Sequence, residues 1–233
     1  MKVLYEDNHL IVAVKPPMVP SQADSSGDPD MLSIVKEYVR EKYGKPGNVY
    51  IGLVHRLDRP TSGIMVFART SKAAARLAKQ VQDGSMEKRY RATVLDSSGS
   101  LPEQGVFVDM LYKVRAANTV FVRDCPGAKR AELSYKVIDR RPGEADVEVR
   151  LVTGRSHQIR VQFSSRGWPL LGDARYGKKN APRRPLALCA CYLAFFHPTT
   201  RERLKFSIEP PRLGLPRTRK LLRLCSPPYG VKH

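Results

Sequence analysis

The sequence predicts an α+β domain in which helices flank a mixed, mainly antiparallel sheet. Two segments, near residues 31–44 and 71–84, place apolar residues at helical spacing. Strand-like runs are instead clustered between residues 88 and 152 and do not alternate regularly with helices. Neither a repeat of roughly 20–50 residues nor a linker divides the sequence, so we expect a single domain over residues 1–233.

The first part of the chain predicts a hairpin followed by a helix. Strands are expected at residues 3–5 and 10–15, with a turn at Asp7. In MLSIVKEYVREKYG the apolar residues recur at the spacing of one helix face. Either Asp28-Pro29 or Asp30 can start this helix, and Gly44 can end it.

The middle of the chain predicts a buried strand, a second helix and a set of hairpins. Residues 64–68 are apolar, as in a buried strand. SKAAARLAKQVQDG follows as an Ala-rich helix, for which Ser71 is the expected N-cap and Gly84 the terminator. Short β-type runs then predict antiparallel hairpins: KRYRATVL, VFVDMLYKV, TVFV, ELSYKVI and VEVRLV.

The last third predicts a short helix and two further strands. The helix is expected over residues 157–165 with Ser156 as its cap, and the strands over residues 186–196 and 204–208. A membrane-spanning helix needs about 20 apolar residues. The longest apolar run, LALCACYLAFF, is much shorter, so we expect no membrane partner.

The charge of the chain indicates a polyanionic partner. The 41 Lys and Arg residues exceed the 22 Asp and Glu residues, which gives a net charge of +19. Residues 1–50 carry a net −1, whereas residues 174–233 carry 14 basic and 2 acidic residues, a net +12. Solubility alone needs only a modest net charge, so we expect binding to nucleic-acid phosphates. The expected contacts near the end of the sequence are Arg212, Arg217, Arg219, Lys220 and Arg223.

The sequence contains no familiar pattern for a metal or a cofactor. The four cysteines lack CxxC spacing and no apolar leader precedes MKVLYEDNHL, which favours a reducing cytoplasm. The five histidines are scattered without HExxH, and neither GxxxxGK(S/T) nor GxGxxG occurs. We therefore expect no metal and no cofactor.

One stretch, GLVHRLDRPTSGIMVFART, places a single carboxylate in a cationic setting. Asp58 lies among His55, Arg56 and Arg59, just before a Thr-Ser-Gly turn. An Asp beside arginines at a turn is commonly a solvated ion pair, and a catalytic role is the alternative. A hydrolase triad with Ser62 is disfavoured, because the GxSxG elbow that raises a nucleophilic serine is missing.

A second basic stretch, LVTGRSHQIRVQFSSRG, lies where a strand is expected to meet a helix. It contains Arg155, His157, Gln158 and Arg160. The N-terminus of a helix is a natural place to hold an anion. The anion is either a phosphate or the carboxylate of Asp58.

Four segments match, in order, the motifs of one enzyme family. HRLDRPTSG resembles the catalytic motif of the RluA-type pseudouridine synthases, which isomerise chosen uridines in RNA. EKRYRATV resembles the segment with an active-site Tyr, LVTGRSHQIR the segment with an Arg that pairs with the catalytic Asp, and PLLGDARYG the segment that follows. The resemblance extends from Lys15 to Gly177. It implies the fold of a pseudouridine synthase catalytic domain and action on ribosomal or transfer RNA without a cofactor.

The resemblance also implies roles for individual residues. Asp58 would be the reactive carboxylate, Tyr90 the aromatic face against an extruded uracil, and Arg155 the counter-ion of Asp58. His55 or Arg56 would enter the space left by the extruded base. The residues implied to contact RNA are His55, Arg56, Arg59, Thr61, His157, Gln158 and Arg160.

The sequence departs from the family pattern in two motifs and at its start. VKPPMVPSQ stands where many relatives have Asn-Lys-Pro followed by Gly and His, and RVQF replaces a frequent Arg-Val-His. These departures concern the choice of RNA more than the chemistry. The sequence also opens directly on the catalytic domain, so we expect no separate N-terminal RNA-binding domain. We further expect a monomer, and a cytoplasmic location from the cysteine pattern.

Two other functions compete with this interpretation. A non-catalytic RNA clamp is disfavoured by the presence of Asp58, Tyr90 and Arg155. An RNA methyltransferase would need an adenosylmethionine site, and no glycine-rich loop follows the first strands.

Overall fold

The computed structural model describes residues 1–44, 47–177 and 184–210. The helices are α1 (Met31–Tyr43), α2 (Ser71–Gln82) and α3 (Gln158–Ser164). The strands are β1 (Lys2–Glu6), β2 (Leu10–Lys15), β3 (Gly52–Leu53), β4 (Ser62–Ala68), β5 (Glu87–Leu95), β6 (Gln104–Val114), β7 (Thr119–Val122), β8 (Lys129–Arg141), β9 (Glu144–Leu151), β10 (Leu188–Phe196) and β11 (Arg203–Ser207). Within the described ranges, no helix is long and apolar enough to cross a membrane. The predicted phosphate contacts from Arg212 to Arg223 lie outside these ranges.

The 11 strands form one sheet, in the order β1-β2-β4-β10-β5-β9-β8-β6-β7, with β11 beside β10 and β3 beside β4. β10 runs parallel to β4 and antiparallel to β5. The other pairs between these strands are antiparallel. The predicted α+β fold with a mixed, mainly antiparallel sheet is confirmed. The short strand β3 is not predicted by the sequence, because two residues are too few to show an alternating pattern.

The two ends of α1 follow directly from the sequence. The Asp30 carboxylate accepts hydrogen bonds from the backbone N–H groups of Leu32 and Ser33 at 2.9 and 3.2 Å. Gly44 ends the helix with φ 57°, a left-handed conformation that glycine adopts without strain. The predicted start and end of this helix are both confirmed.

The other two predicted N-caps are wrong. Thr70 caps α2, because its hydroxyl accepts a hydrogen bond from the N–H of Ala73 at 3.1 Å, and Ser71 is the first helical residue. α3 begins at Gln158, because His157 takes the left-handed value φ 52° and so stands outside the helix. Composition alone does not separate Thr70 from Ser71, since both side chains are good N-caps.

β4 is buried along its whole length and separates two apolar clusters. Met65 and Phe67 pack in the cluster that includes residues of α1 and α3. Ile64 and Val66 point to the opposite face and pack in the cluster that includes residues of α2. A strand held on both faces is a rigid support for the turn that precedes it.

Gly63 allows β4 and β10 to approach closely. It takes φ 132°, and a Cβ at this position would lie 2.4 Å from the carbonyl oxygen of Ala190 and 2.5 Å from its nitrogen. Only glycine fits this contact without moving one of the two backbones. The glycine of the Thr-Ser-Gly sequence is therefore required by strand packing, and Ser62 and Gly63 begin β4 instead of forming a turn.

We expect Gly63→Ala to lower the free energy of unfolding by about 3 kcal/mol, because the added methyl group meets backbone atoms of β10. Chemical denaturation measures this change. Gly99→Ala is the matched control: Gly99 also has a positive φ, 65°, but no atom lies within 4 Å of the place that an added Cβ would occupy. Equal losses of stability in the two variants would contradict the steric explanation.

Candidate active site

Asp58 lies in the turn between β3 and β4, at the wall of a large cleft. The backbone N–H of Thr61 donates to the Asp58 carbonyl at 2.9 Å and closes this turn. The loops on both sides of α3 line the same cleft, whose volume is about 2440 Å³. Pockets for small molecules reach only about 1,000 Å³. The cleft therefore has the size expected for a macromolecular substrate.

Arg160, on the buried face of α3, is the cation that faces Asp58. Its Nη1 donates to Asp58 Oδ2 at 3.4 Å. Its Nε and Nη2 donate to the two oxygens of Asp173 at 2.7 and 2.8 Å. Burial disfavours the charge of Arg160, but the hydrogen bonds and charges of the two carboxylates outweigh burial and raise its pKa. The guanidinium is thus a fixed positive charge between two acids.

The predicted pairing of Arg155 with Asp58 is wrong. Arg155 is exposed, and its Nε donates to the carbonyl oxygen of Arg130 at 3.0 Å. It lies in the loop before α3, whereas Arg160 lies inside the helix and points into the protein. Of the two anions considered for this segment, the structure shows the Asp58 carboxylate. It is held by the Arg160 side chain and not by backbone N–H groups at the start of α3.

His157 is a second polar neighbour of Asp58. Its Nε2 lies 4.0 Å from Asp58 Oδ2, and its Nδ1 lies 2.7 Å from the Tyr176 hydroxyl. That hydroxyl accepts a hydrogen bond from Val120 N–H at 2.9 Å and can donate to Nδ1. The ring hydrogen is then on Nε2, facing a carboxylate that can only accept. Burial lowers the pKa of His157, while the charge of Asp58 opposes this shift.

Tyr90 and Lys15 lie in the same region and are both buried. Burial and then the charge of Asp58 raise the pKa of Tyr90, so its phenol stays neutral. The Lys15 ammonium donates to the carbonyl oxygens of Pro16, Val19 and Arg59 at 3.0, 2.6 and 2.9 Å. Lys15 therefore anchors the residue after Asp58, a role that the sequence pattern does not reveal.

Three residues implied to contact RNA are wholly or partly enclosed by the protein. His55 is buried, and its Nε2 accepts a hydrogen bond from Val66 N–H at 3.1 Å, so it is not free to replace an extruded base. Arg59 pairs with Asp28 and, at 3.5 Å, with Asp24. Thr61 is 2% exposed. The side chain of His55 is thus tied to β4, whereas the RNA contacts of Arg59 and Thr61, which line the cleft, stay predictions.

The side chain of Gln158 is hydrogen-bonded within the protein. The side-chain oxygen of Gln158 accepts hydrogen bonds from Arg155 N–H and the Thr153 hydroxyl, both at 2.9 Å. Its amide nitrogen donates to the Glu132 carbonyl oxygen at 3.0 Å, so Gln158 fixes the loop before α3.

Arg56 lines the cleft, is exposed, and has no hydrogen bond or ion pair within the described part of the chain. Its charge faces the cleft.

Among residues 1–44, 47–177 and 184–210, no cluster of three or more His, Cys, Asp or Glu side chains could hold a metal ion. The cysteines at positions 189 and 191 are buried in β10.

Several known proteins resemble this chain in sequence. Residues 9–165 match the family model described as RNA pseudouridylate synthase. The chain is 36% identical to ribosomal large subunit pseudouridine synthase D of Zymomonas mobilis, over 91% of this chain and 70% of that protein. It is 31% identical to the protein of the same name from Pseudomonas aeruginosa, over 88% and 67% of the two chains.

Solved structures share the fold. Human RNA pseudouridylate synthase domain containing 4 superimposes with a TM-score of 0.75 at 24% identity, over 91% of this chain and 89% of that chain. Human RNA pseudouridylate synthase domain containing 1 gives a TM-score of 0.70 at 21% identity, over 89% and 82%. At these identities the likeness establishes the architecture.

The buried His55 generates a prediction about pH. Burial, followed by the charge of Lys88, lowers the pKa of His55 to about 3. An unfolded His has a pKa of about 6.5, so the unfolded chain binds the proton more readily. The contribution of neutral His55 to the free energy of unfolding is therefore complete above pH 6.5 and is lost as the pH falls toward 3. We expect a loss of about 2 kcal/mol from this residue between pH 7 and pH 5.

Denaturation of wild type and His55→Gln at both pH values measures this loss. Gln keeps an acceptor for Val66 N–H but does not titrate, so the variant should lose less stability on acidification. His9→Gln is the control and should follow the wild type. Parallel pH dependence of wild type and His55→Gln would contradict the assignment.

Proposed function

The chain belongs to the RNA pseudouridine synthase family, and we propose that Asp58 is the carboxylate with which it isomerises uridine in large-subunit ribosomal RNA. The family makes the protein an intramolecular isomerase that acts on RNA. The observation that carries the proposal is the Asp58 carboxylate at the cleft wall, 3.4 Å from the Arg160 guanidinium. The guanidinium holds the carboxylate in this position beside the cleft.

The reaction rearranges bonds within one nucleotide. The bond from uracil N1 to ribose C1′ breaks, the base turns over, and a bond from C5 to C1′ forms. The hydrogen on C5 leaves as a proton and N1 gains one, so nothing is oxidised and no group is donated. Asp58 either attacks C1′ or removes the neighbouring ribose proton to give a glycal. Both routes need a single ionised carboxylate with a free lone pair.

Asp58 is open to the cleft and Asp173 is not. Asp173 is buried and accepts hydrogen bonds from Arg160 and from the N–H groups of Arg175 and Tyr176. The Asp58 side chain is 26% exposed to the cleft and accepts one long hydrogen bond, from Arg160. A carboxylate that is closed off from the cleft and held by four donors cannot reach a substrate. This difference supports Asp58 as the reactive group.

The substrate uridine must leave the RNA stack to reach Asp58. Extrusion of a nucleotide costs about a few kcal/mol and is offset by contacts in the protein pocket. Tyr90 is proposed to support the uracil ring. Its phenol is neutral and lies near Asp58, since the charge of Asp58 contributes to raising the pKa of Tyr90. Arg56, exposed at the cleft, is proposed to bind phosphate or to fill the space left by the base.

Large-subunit ribosomal RNA is favoured as substrate by the names of the Zymomonas and Pseudomonas relatives. Transfer RNA is the alternative. A monomeric state and a cytoplasmic location are part of this proposal.

The function is tested by tritium release. RNA labelled at uridine C5 is prepared from cells that lack this modification and is separated into ribosomal and transfer fractions. Wild type should release tritium from ribosomal RNA, whereas Asp58→Ala and Asp58→Asn should lose more than about 1,000-fold in rate, because the reacting group is gone. Asp139→Asn is the control, since Asp139 is exposed on β8 and is not among the cleft residues.

Each outcome of this assay decides between named alternatives. Release from transfer RNA alone would replace the proposed substrate. Substantial activity in Asp58→Ala would overturn the role of Asp58. Absence of release from either fraction by the wild type, despite tight and salt-sensitive binding, would favour the non-catalytic clamp.

The link from Tyr176 through His157 to Asp58 gives a second prediction. Tyr176→Phe removes the hydroxyl that orients His157, and we expect kcat to fall about 10-fold with little change in KM. Phe121→Leu, on the exposed side of β7, is the control. An increase in KM alone would indicate a role in RNA binding and would contradict positioning of His157.

A further inference from the structure

Lys88 is a partly buried cation without a partner. It lies on β5, two residues before Tyr90, and both side chains line the cleft. Within the residues that the structure describes, its ammonium makes no hydrogen bond and no ion pair. The two buried cations near Asp58 do have partners: carbonyl oxygens surround Lys15, and Asp173 pairs with Arg160.

An ammonium withdrawn from water is costly unless an anion or a set of acceptors faces it. Burial lowers the pKa of Lys88, and no neighbouring acid acts against this shift. His55, whose pKa is lowered by burial and by the charge of Lys88, is neutral and does not compensate the ammonium. The protein therefore leaves this cation uncompensated.

The loop before α3 keeps the ammonium accessible from the cleft. A Cβ built on Gly154 would lie 3.7 Å from Lys88 Nζ, in contact with it. Glycine at this position leaves that side of the ammonium uncovered. Since Gly154 has no positive φ and no backbone clash, the local fold does not require a glycine there. The open space beside Nζ is consistent with a ligand.

We propose that Lys88 binds a backbone phosphate of the RNA strand, next to the uridine that rests against Tyr90. This inference rests on the proposed function. Phosphates are the anionic groups of RNA, and a lysine ammonium binds them as a point charge. Lys88 and Tyr90 lie about 7 Å apart along the strand, so one nucleotide can contact both. Lys88 would thereby position the flipped nucleotide over Asp58.

Uncharged phosphates test the proposal at single positions. Short RNAs that contain the target uridine carry one methylphosphonate each, at successive positions around that uridine. Binding is measured in the Asp58→Ala background to prevent turnover. We expect neutralisation of one phosphate to weaken binding about 10-fold when Lys88 is present. The same change should have little further effect on Lys88→Met.

Conservative and matched variants complete the design. Lys88→Arg keeps the charge and should retain most of the sensitivity to that phosphate. Lys72→Met removes an equal charge from an exposed position at the start of α2, away from the cleft. This variant should bind RNA like the protein with both lysines. The slope of log affinity against log salt should fall by about 0.7 in Lys88→Met, the value for one contact to a single strand.

The proposal would be overturned if no methylphosphonate weakened RNA binding by the protein that contains Lys88. It would also be overturned if the same methylphosphonate weakened binding equally in Lys88→Met. If Lys88→Met fails to fold, the methylphosphonate series on the lysine chain and on Lys88→Arg still decides. The salt slope needs no turnover, so it tests Lys88 even if the wild type releases no tritium. Failure of the proposed function is thus distinguishable from failure of this phosphate site.

Discussion

The candidate site depends on a single buried guanidinium. Arg160 donates two hydrogen bonds to Asp173 and one to Asp58, so α3, the loop that follows it and the turn before β4 meet at one cation. Such a network contributes little net stability, because desolvation of the charges offsets much of their attraction. Its effect is geometric: the position of Asp58 is tied to a helix that is itself packed into the main apolar cluster.

The two carboxylates on this cation have different environments and so different chemistry. Asp173 is buried and surrounded by donors, and its pKa is lowered by the hydrogen bonds and charge of Arg160, which outweigh burial. Asp58 faces the cleft with few donors. One acid therefore holds the guanidinium, and the other is available to the substrate. His157, oriented by Tyr176, adds a neutral polar neighbour on the cleft side of Asp58.

The cations around the cleft divide into two groups by their partners. Lys15, Arg59 and Arg160 are bound by carbonyl or carboxylate oxygens and hold the backbone near Asp58 in place. Arg56 and Lys88 line the cleft and have no such partner within the described ranges. Positive charge in the sequence is thus a poor guide to RNA contact by itself, because a basic residue can equally be a structural tie.

Local sequence determines much of this protein. The spacing of apolar residues predicts α1 and α2, a short apolar run predicts β2, and strand-like runs separated by turn residues predict the hairpins from β5 to β9. The HRLDRPTSG motif identifies Asp58. These features depend on neighbours within a few residues. The identity of the cation that pairs with Asp58 depends instead on tertiary structure. In the sequence, Arg155 and Arg160 are both plausible partners. The left-handed turn at His157 and the packing of α3 direct Arg160 inward. Burial of Lys15, isolation of Lys88 and insertion of β10 between β4 and β5 likewise arise from contacts between distant segments, which periodicity does not encode.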